Sequence, residues 1–164
     1  MGARRNIYDS FLTGNVHSVG ELNALDSGTE TIIVENKSCN DEDFTDLNLT
    51  RFTNLTSLVV GDLCFEHVNT MIVVGLDNLE TIKIGMDSFK GHTYSQDSVF
   101  SVKNCSSLRE LKIAPSSFHR WSIFEIEDVP SLEVIEIGYL HYDGVYDSFD
   151  DASLELNSEF ETRD

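Results

Sequence analysis

The sequence predicts a mainly β protein, a β-rich solenoid in which short parallel strands lie in successive coils. Three observations predict it. The stretch Leu55-Thr56-Ser57-Leu58-Val59-Val60-Gly61 recurs as Leu79-Glu80-Thr81-Ile82-Lys83-Ile84-Gly85, as Leu108-Arg109-Glu110-Leu111-Lys112-Ile113-Ala114 and as Leu132-Glu133-Val134-Ile135-Glu136-Ile137-Gly138, at steps of 24, 29 and 24 residues. A recurrence at this period is the signature of a repeat architecture and outranks local readings. Aligned on their first leucine, the repeats also agree outside the stretch. And 40% apolar content in 164 residues supplies one core despite a formal charge of -18.

Taken in chain order, residues 1–16 show no sustained period and read as a lead-in. Ser18-Val19-Gly20-Glu21 has capping-box spacing, with Val19, Leu22 and Leu25 at helical intervals, so a short helix is expected over about 18–25, ended by Asp26-Ser27-Gly28. A terminal coil must cover its open stacking face, and an amphipathic helix makes a suitable lid. Residues 1–28 are therefore assigned to a lead-in and capping helix. Thr31-Ile32-Ile33-Val34 then aligns with Ser57–Val60 at an offset of 26 and opens the solenoid proper, residues 29–142.

Within each repeat a second strand precedes the leucine. Leu47, Met71, Phe100 and Phe124 stand eight residues before it, and Leu49, Val73, Val102 and Ile126 six before it, the period-two spacing of a strand with one buried face. Phe52, Leu76, Cys105 and Val129 form a third column, three before the leucine. Four residues after the Gly/Ala, Phe65, Phe89, Phe118 and Tyr142 form a column of aromatic plugs. Gly61, Gly85 and Gly138 are placed at corners needing φ > 0 or close backbone approach. Ala114-Pro115 departs from that column and predicts a differently shaped corner. The longer step is assigned to a projecting loop around Gly91-His92-Thr93-Tyr94-Ser95-Gln96. Beyond Tyr142, residues 143–164 read as an acidic tail or the start of a further, truncated coil, with Leu154-Glu155-Leu156 as its back strand. An uncovered last coil is an edge open to self-pairing, which either the acidic tail guards or a longer gene product continues.

The unit F-x-[VI]-x-x-[CV]-x-[SD]-L-x-x-[LI]-x-[IV]-[GA]-x-x-[SC]-F resembles leucine-rich repeats, and most closely the bacterial-surface-antigen (BspA-like) class. The resemblance rests on Asn104-Cys105-Ser106-Ser107-Leu108-Arg109-Glu110-Leu111-Lys112-Ile113 with Ser117-Phe118, and on Asn78-Leu79 through Ser88-Phe89. The family pattern carries Asn or Cys after the strand, where this chain has Gly61, Gly85 and Gly138. The resemblance implies a right-handed coil with a parallel sheet on its inner face, used to bind proteins or other ligands. It implies no chemistry.

Alternation points Leu58/Val60, Ile82/Ile84, Leu111/Ile113 and Ile135/Ile137 inward. It leaves Ile33, Val59, Lys83, Lys112 and Glu136 as one outward row, and Thr31, Ser57, Thr81, Glu110 and Val134 as the next. These rows are the candidate protein-binding surface, an apolar patch beside a basic step; the plain alternative is a solvated sheet in which Lys112 pairs with Glu136.

The remaining chemistry is thin. Net charge disfavours a grip on nucleic acid or an anionic membrane, and residues 121–164 alone carry -12. Cys39, Cys64 and Cys105 are odd in number with no paired spacing, which suits free thiols in a reducing compartment. No apolar run approaches the roughly 20 residues of a membrane helix, and the start lacks a signal-peptide core. Sequons at Asn36, Asn48, Asn54 and Asn104 carry little weight without one, and the expected compartment is the cytoplasm. His67, His92, His119 and His141 follow the corners at drifting offsets, against the convergence that zinc requires, and His17 stands apart. Asp147, Asp150 and Asp151 lack the glycine and closing glutamate of an EF-hand. G-x-S-x-G, Walker, G-x-G-x-x-G and H-E-x-x-H motifs do not occur. Glu125/Glu127 are outward alternate residues with no cleft between them, and Trp121 is expected half-buried at the rim. No cofactor and no metal are therefore expected. The function expected is a non-enzymatic protein–protein interaction module. The alternative is a structural spacer or a fragment of a larger surface or scaffold protein, and a distant third is an enzyme using His119 or His141.

Overall fold

The computed structural model describes residues 12–91, 97–138, 148–149 and 153–157. Among them eleven strands and a short helix follow one another: β1 (Thr13–Val16), α1 (Val19–Ala24), β2 (Thr31–Val34), β3 (Asp46–Asn48), β4 (Ser57–Val60), β5 (Thr70–Val74), β6 (Thr81–Ile84), β7 (Val99–Lys103), β8 (Glu110–Ile113), β9 (Ile123–Glu127), β10 (Val134–Ile137) and β11 (Ser153–Asn157). They form two sheets, β1-β2-β4-β6-β8-β10 and β11-β9-β7-β5-β3. Every pairing is parallel. From β2 onward the chain passes alternately from one sheet to the other, so each step of about 24–30 residues returns a strand beside its own predecessor.

Register turns the repeat into columns. Leu58 lies beside Ile82 and Ile82 beside Leu111, while Met71 lies beside Phe100 and Phe100 beside Phe124. These inward residues are buried, as are the first leucines Leu55, Leu79 and Leu108 and the column Phe52, Leu76, Cys105 and Val129. The core is thus a ladder of like side chains between the sheets, and hydrophobic burial along it is the main stabilising term.

The plug column is where the rings meet. Phe65 stacks on Phe89 at 4.9 Å, Phe89 on Phe118 at 4.6 Å, and Phe118 on Phe149 at 4.7 Å between centroids. Phe149 thus stands next in the stack after Phe118, while Tyr142, expected in this column, lies outside the described residues. The signal was there: Ser148-Phe149 repeats the dipeptides Ser88-Phe89 and Ser117-Phe118, eleven rather than four residues past the glycine. At the other end Cys39 occupies the place of Phe65, both with positive φ, at 58° and 57°.

Each corner is made by two left-handed residues. Leu63 and Phe65 (φ 59° and 57°), Asp87 and Phe89 (57° and 56°), and Ser116 and Phe118 (59° and 56°) recur in phase. A left-handed bulky residue costs about 1–2 kcal/mol. The amides offset part of that cost by bonding in both directions along the stack. Leu63 N–H donates to the Met86 carbonyl ahead (2.9 Å), and Phe89 N–H to the Cys64 carbonyl behind (2.9 Å). The corner after Ala114 keeps this geometry, contrary to expectation, because the pair at Ser116 and Phe118 turns the chain and not the residue at 114.

Close approach, not conformation, accounts for the glycine column. A Cβ on Gly85 would lie 2.5 Å from the carbonyl carbon and oxygen of Gly61, and one on Gly138 would strike Pro115 and Ala114. A serine column seals the same corner. Ser88 Oγ accepts from Cys64 N–H at 3.1 Å and donates to the Gly61 carbonyl at 2.9 Å; Ser117 does the same for Ser88 N–H and Gly85, and Ser148 for Ser117 N–H and Ala114.

At the N-terminal end the lead-in contains a strand that the sequence reading missed. Thr13–Val16 pairs with β2, with Gly14 at an inward position where Leu25 occupies the space a Cβ would need. Ser18 is the N-cap of α1, its Oγ accepting from Glu21 N–H at 3.2 Å, and the Glu21 carboxylate accepts from His17 N–H at 2.6 Å. Arg51 lies over the Phe52 ring, 4.1 Å from guanidinium carbon to centroid, and donates to the Leu22, Asn23 and Leu25 carbonyls at the helix C-terminus. Leu154–Leu156 does form a strand, β11, paired with β9. The loop expected around 91–96 falls outside the described residues beyond Gly91. No helix among the described residues is long and apolar enough to cross a membrane.

Candidate interaction surface

The outward rows of the six-stranded sheet are built by the same register that builds the core. Ile33 lies beside Val59, Val59 beside Lys83, Lys83 beside Lys112 and Lys112 beside Glu136. Thr31, Ser57, Thr81, Glu110 and Val134 form the adjacent row. All of these residues are exposed or half-buried, so the sheet brings the sequence-derived surface residues together on one face. The strand β1 extends both rows by Asn15 and Thr13. Sequence reasoning missed them because Gly14 stands where the other strands carry Ile or Leu.

Chemically the face changes along its length. Ile33 and Val59 make an apolar start. Ser57 Oγ and Thr81 Oγ1 share a hydrogen bond at 3.0 Å, tying β4 to β6 on the solvent side. Lys112 Nζ lies 3.6 Å from Glu110 and 3.7 Å from Glu136, and Arg109 lies 3.6 Å from Glu133, exposed pairs worth at most about 1 kcal/mol each. Lys83 faces Lys112 across the ladder, a like-charge opposition. The two carboxylates beside Lys112 relieve it there, whereas Lys83 makes no ion pair among the described residues. It is a bare cation beside an apolar strip, in a chain of net charge -18.

The other sheet answers with its own charge pattern. Lys103 on β7 reaches Glu127 at 3.0 Å and Glu125 at 3.1 Å on β9, and those hydrogen bonds raise the lysine pKa.

Residues weighed for chemistry are scattered. Among the described residues no three of His, Cys, Asp and Glu gather at metal-binding distance. His17 is exposed, His67 half-buried and His119 buried, while His92, His141, Asp147, Asp150 and Asp151 lie outside the described residues. The thiols are free and buried. Burial, then the neighbouring Cys64, Asp41 and Glu21, pushes Cys39 up to about 12, and burial raises Cys64 and Cys105 as well. Such thiols stay protonated at neutral pH. Trp121 is not at the rim: it is fully buried, edge-on to Phe118 at 4.8 Å and to Phe89 at 5.9 Å, with no acceptor for its indole N–H among the described residues. It offers no anchor to a partner. Two hollows, of about 190 Å³ between α1 and β3 and about 670 Å³ beside β1, carry a single carboxylate each, Asp46 and Asp26.

These features define a mainly β chain with two parallel sheets and a laddered, partly charged outer face. No protein-family model, curated protein or solved structure matches the sequence.

Proposed function

We propose that the chain is a leucine-rich-repeat-like solenoid, closest to the BspA-like class, that works as a non-enzymatic protein–protein interaction module. Its N-terminal end is capped by α1, and its partner sits on the outer face of the six-stranded sheet. The observation that carries this reading is the unbroken register of Ile33, Val59, Lys83 and Lys112 on adjacent strands. Continuous faces of this kind are how stacked repeats recognise partners, and an apolar strip ending in Lys83, which has no ion pair among the described residues, suits a partner with an apolar and acidic surface. The position of α1 beside β3, held through Arg51, supports its role as a lid. Three buried, protonated thiols suit a reducing compartment, and we place the protein in the cytoplasm. No cofactor or metal enters this reading.

The test is a comparative capture with the whole chain, wild type against Lys83→Glu combined with Lys112→Glu, folding being checked by circular dichroism. The expected result is a partner retained by the wild type and lost by the folded double variant. Identical partner sets for both would return the chain to the spacer reading.

A further inference from the structure

The outer edge of the five-stranded sheet, at β11, has no strand paired to it among the described residues. In β5, β7 and β9 the inward residues are Met71 and Val73, Phe100 and Val102, and Phe124 and Ile126, all buried. Their counterparts in β11 are Leu154 and Leu156, in register with Phe124 and Ile126, yet 52% and 60% exposed. On the facing sheet Ile135 of β10, in register with buried Leu111, is 42% exposed. The apolar columns therefore run out into solvent at this end of both sheets. Beyond β11 no strand pairs with its outer edge among the described residues.

The charges along that edge select what would cover it. On the outward side Glu155 lies directly opposite Glu125, a destabilising like-charge pair. Lys103 neutralises Glu125 from the β7 side, and among the described residues no cation flanks Glu155. A cation on the far side of β11 would repeat the arrangement that Lys103 makes one strand earlier. A second copy of this chain meeting edge to edge in the register centred on β11 would bring Glu155 against Glu155, so charge disfavours that self-pairing.

We propose that the outer edge of β11 is a docking site for an extended segment of another protein, added as a further strand, with aliphatic side chains alternating with Lys or Arg. The aliphatic residues continue the Leu154 and Leu156 columns, the basic residues flank Glu155, and main-chain hydrogen bonds supply the rest. The site is on the other sheet from the Lys83 face and is independent of the function proposed for that face.

The probe is a fluorescein-labelled heptapeptide of alternating Leu and Lys, titrated with the full chain and read by anisotropy. Its Leu/Glu counterpart and a Leu/Lys peptide N-methylated on alternate residues serve as comparisons. The expected result is binding of the Leu/Lys peptide alone, weakened roughly tenfold by Glu155→Lys, a swing of about 1.4 kcal/mol, with a gain for the Leu/Glu peptide. Glu80→Lys, the same charge change at an exposed site away from β11, leaves binding unchanged. Absence of binding, equal weakening by Glu80→Lys, or full binding of the N-methylated peptide overturns the proposal. So does a dimer in light scattering that Leu156→Asp dissociates, because a second copy would then hold the edge.

Discussion

Phe89 and Phe118, 29 residues apart in the chain, lie face to face with centroids 4.6 Å apart and planes within 4° of each other. Both have a positive φ of 56°. The stack extends to Phe65, tilted by 21° from Phe89, on one side and to Phe149, within 6° of Phe118, on the other. A run of stacked rings, each on a left-handed residue, gives the repeat a packing reason for placing an aromatic at a backbone position that glycine would hold with less strain.

Removing one ring from the middle of the stack should be costly. Phe89→Ala loses two ring contacts and the edge of Trp121, and is expected to destabilise by about 3–5 kcal/mol. Urea denaturation followed by tryptophan fluorescence reads this directly, since Trp121 is the single tryptophan and touches both Phe89 and Phe118. A midpoint equal to wild type would mean that the ring stack is not part of the core.

Two glycines should respond unequally to asparagine. Gly85→Asn forces a Cβ against the Gly61 carbonyl and should destabilise by about 1–3 kcal/mol, as an overpacked contact against backbone does. Gly75 has φ 70° with nothing within 4 Å of a Cβ, and its column neighbours Asn104 and Asp128 already hold φ 52° and 51°. Gly75→Asn should therefore melt within about 0.5 kcal/mol of wild type, because asparagine tolerates the left-handed region. Differential scanning calorimetry of the pair checks the contrast.

The serine column should behave as a buried hydrogen-bond relay. Ser88→Ala strands the Cys64 N–H and the Gly61 carbonyl together, at about 1–3 kcal/mol per unsatisfied buried group. Ser88→Cys should lose less, because Cys64 already serves this column, its Sγ donating to the Glu35 carbonyl at 3.0 Å. Chemical denaturation of the two variants decides whether the polar contact or the side-chain volume matters.

Alkali should weaken the fold through the thiols. Cys39 titrates at about 12 in the folded chain against 9.0 for an unperturbed thiol. The folded state thus retains a proton that the unfolded state has released, and stability declines as pH rises from about 9 to about 12. Burial raises Cys64 and Cys105 in the same direction. Urea midpoints measured across that range should fall for the wild type and fall less for Cys39→Ala. At neutral pH the three thiols should resist a disulfide reagent until the chain is unfolded.

Period and alternation alone determined the parallel strands, the two faces of each strand, the leucine, phenylalanine and back-strand columns, and the rows of Ile33, Val59, Lys83, Lys112 and Glu136. They could do so because a stacked repeat places identical positions side by side, so aligning the sequence with itself is already a contact map. What depends on one place in three dimensions was decided by the tertiary structure. Gly14 in β1 is explained by Leu25 filling its space, the fully buried position of Trp121 by the rings it meets edge-on, and the plug role of Phe149 by a lengthened return that breaks the spacing. The exposure of Leu154, Leu156 and Ile135 has the same origin. Their inward direction follows from the period, but burial needs a neighbour on the far side, and an alternating pattern carries no record of whether one is present.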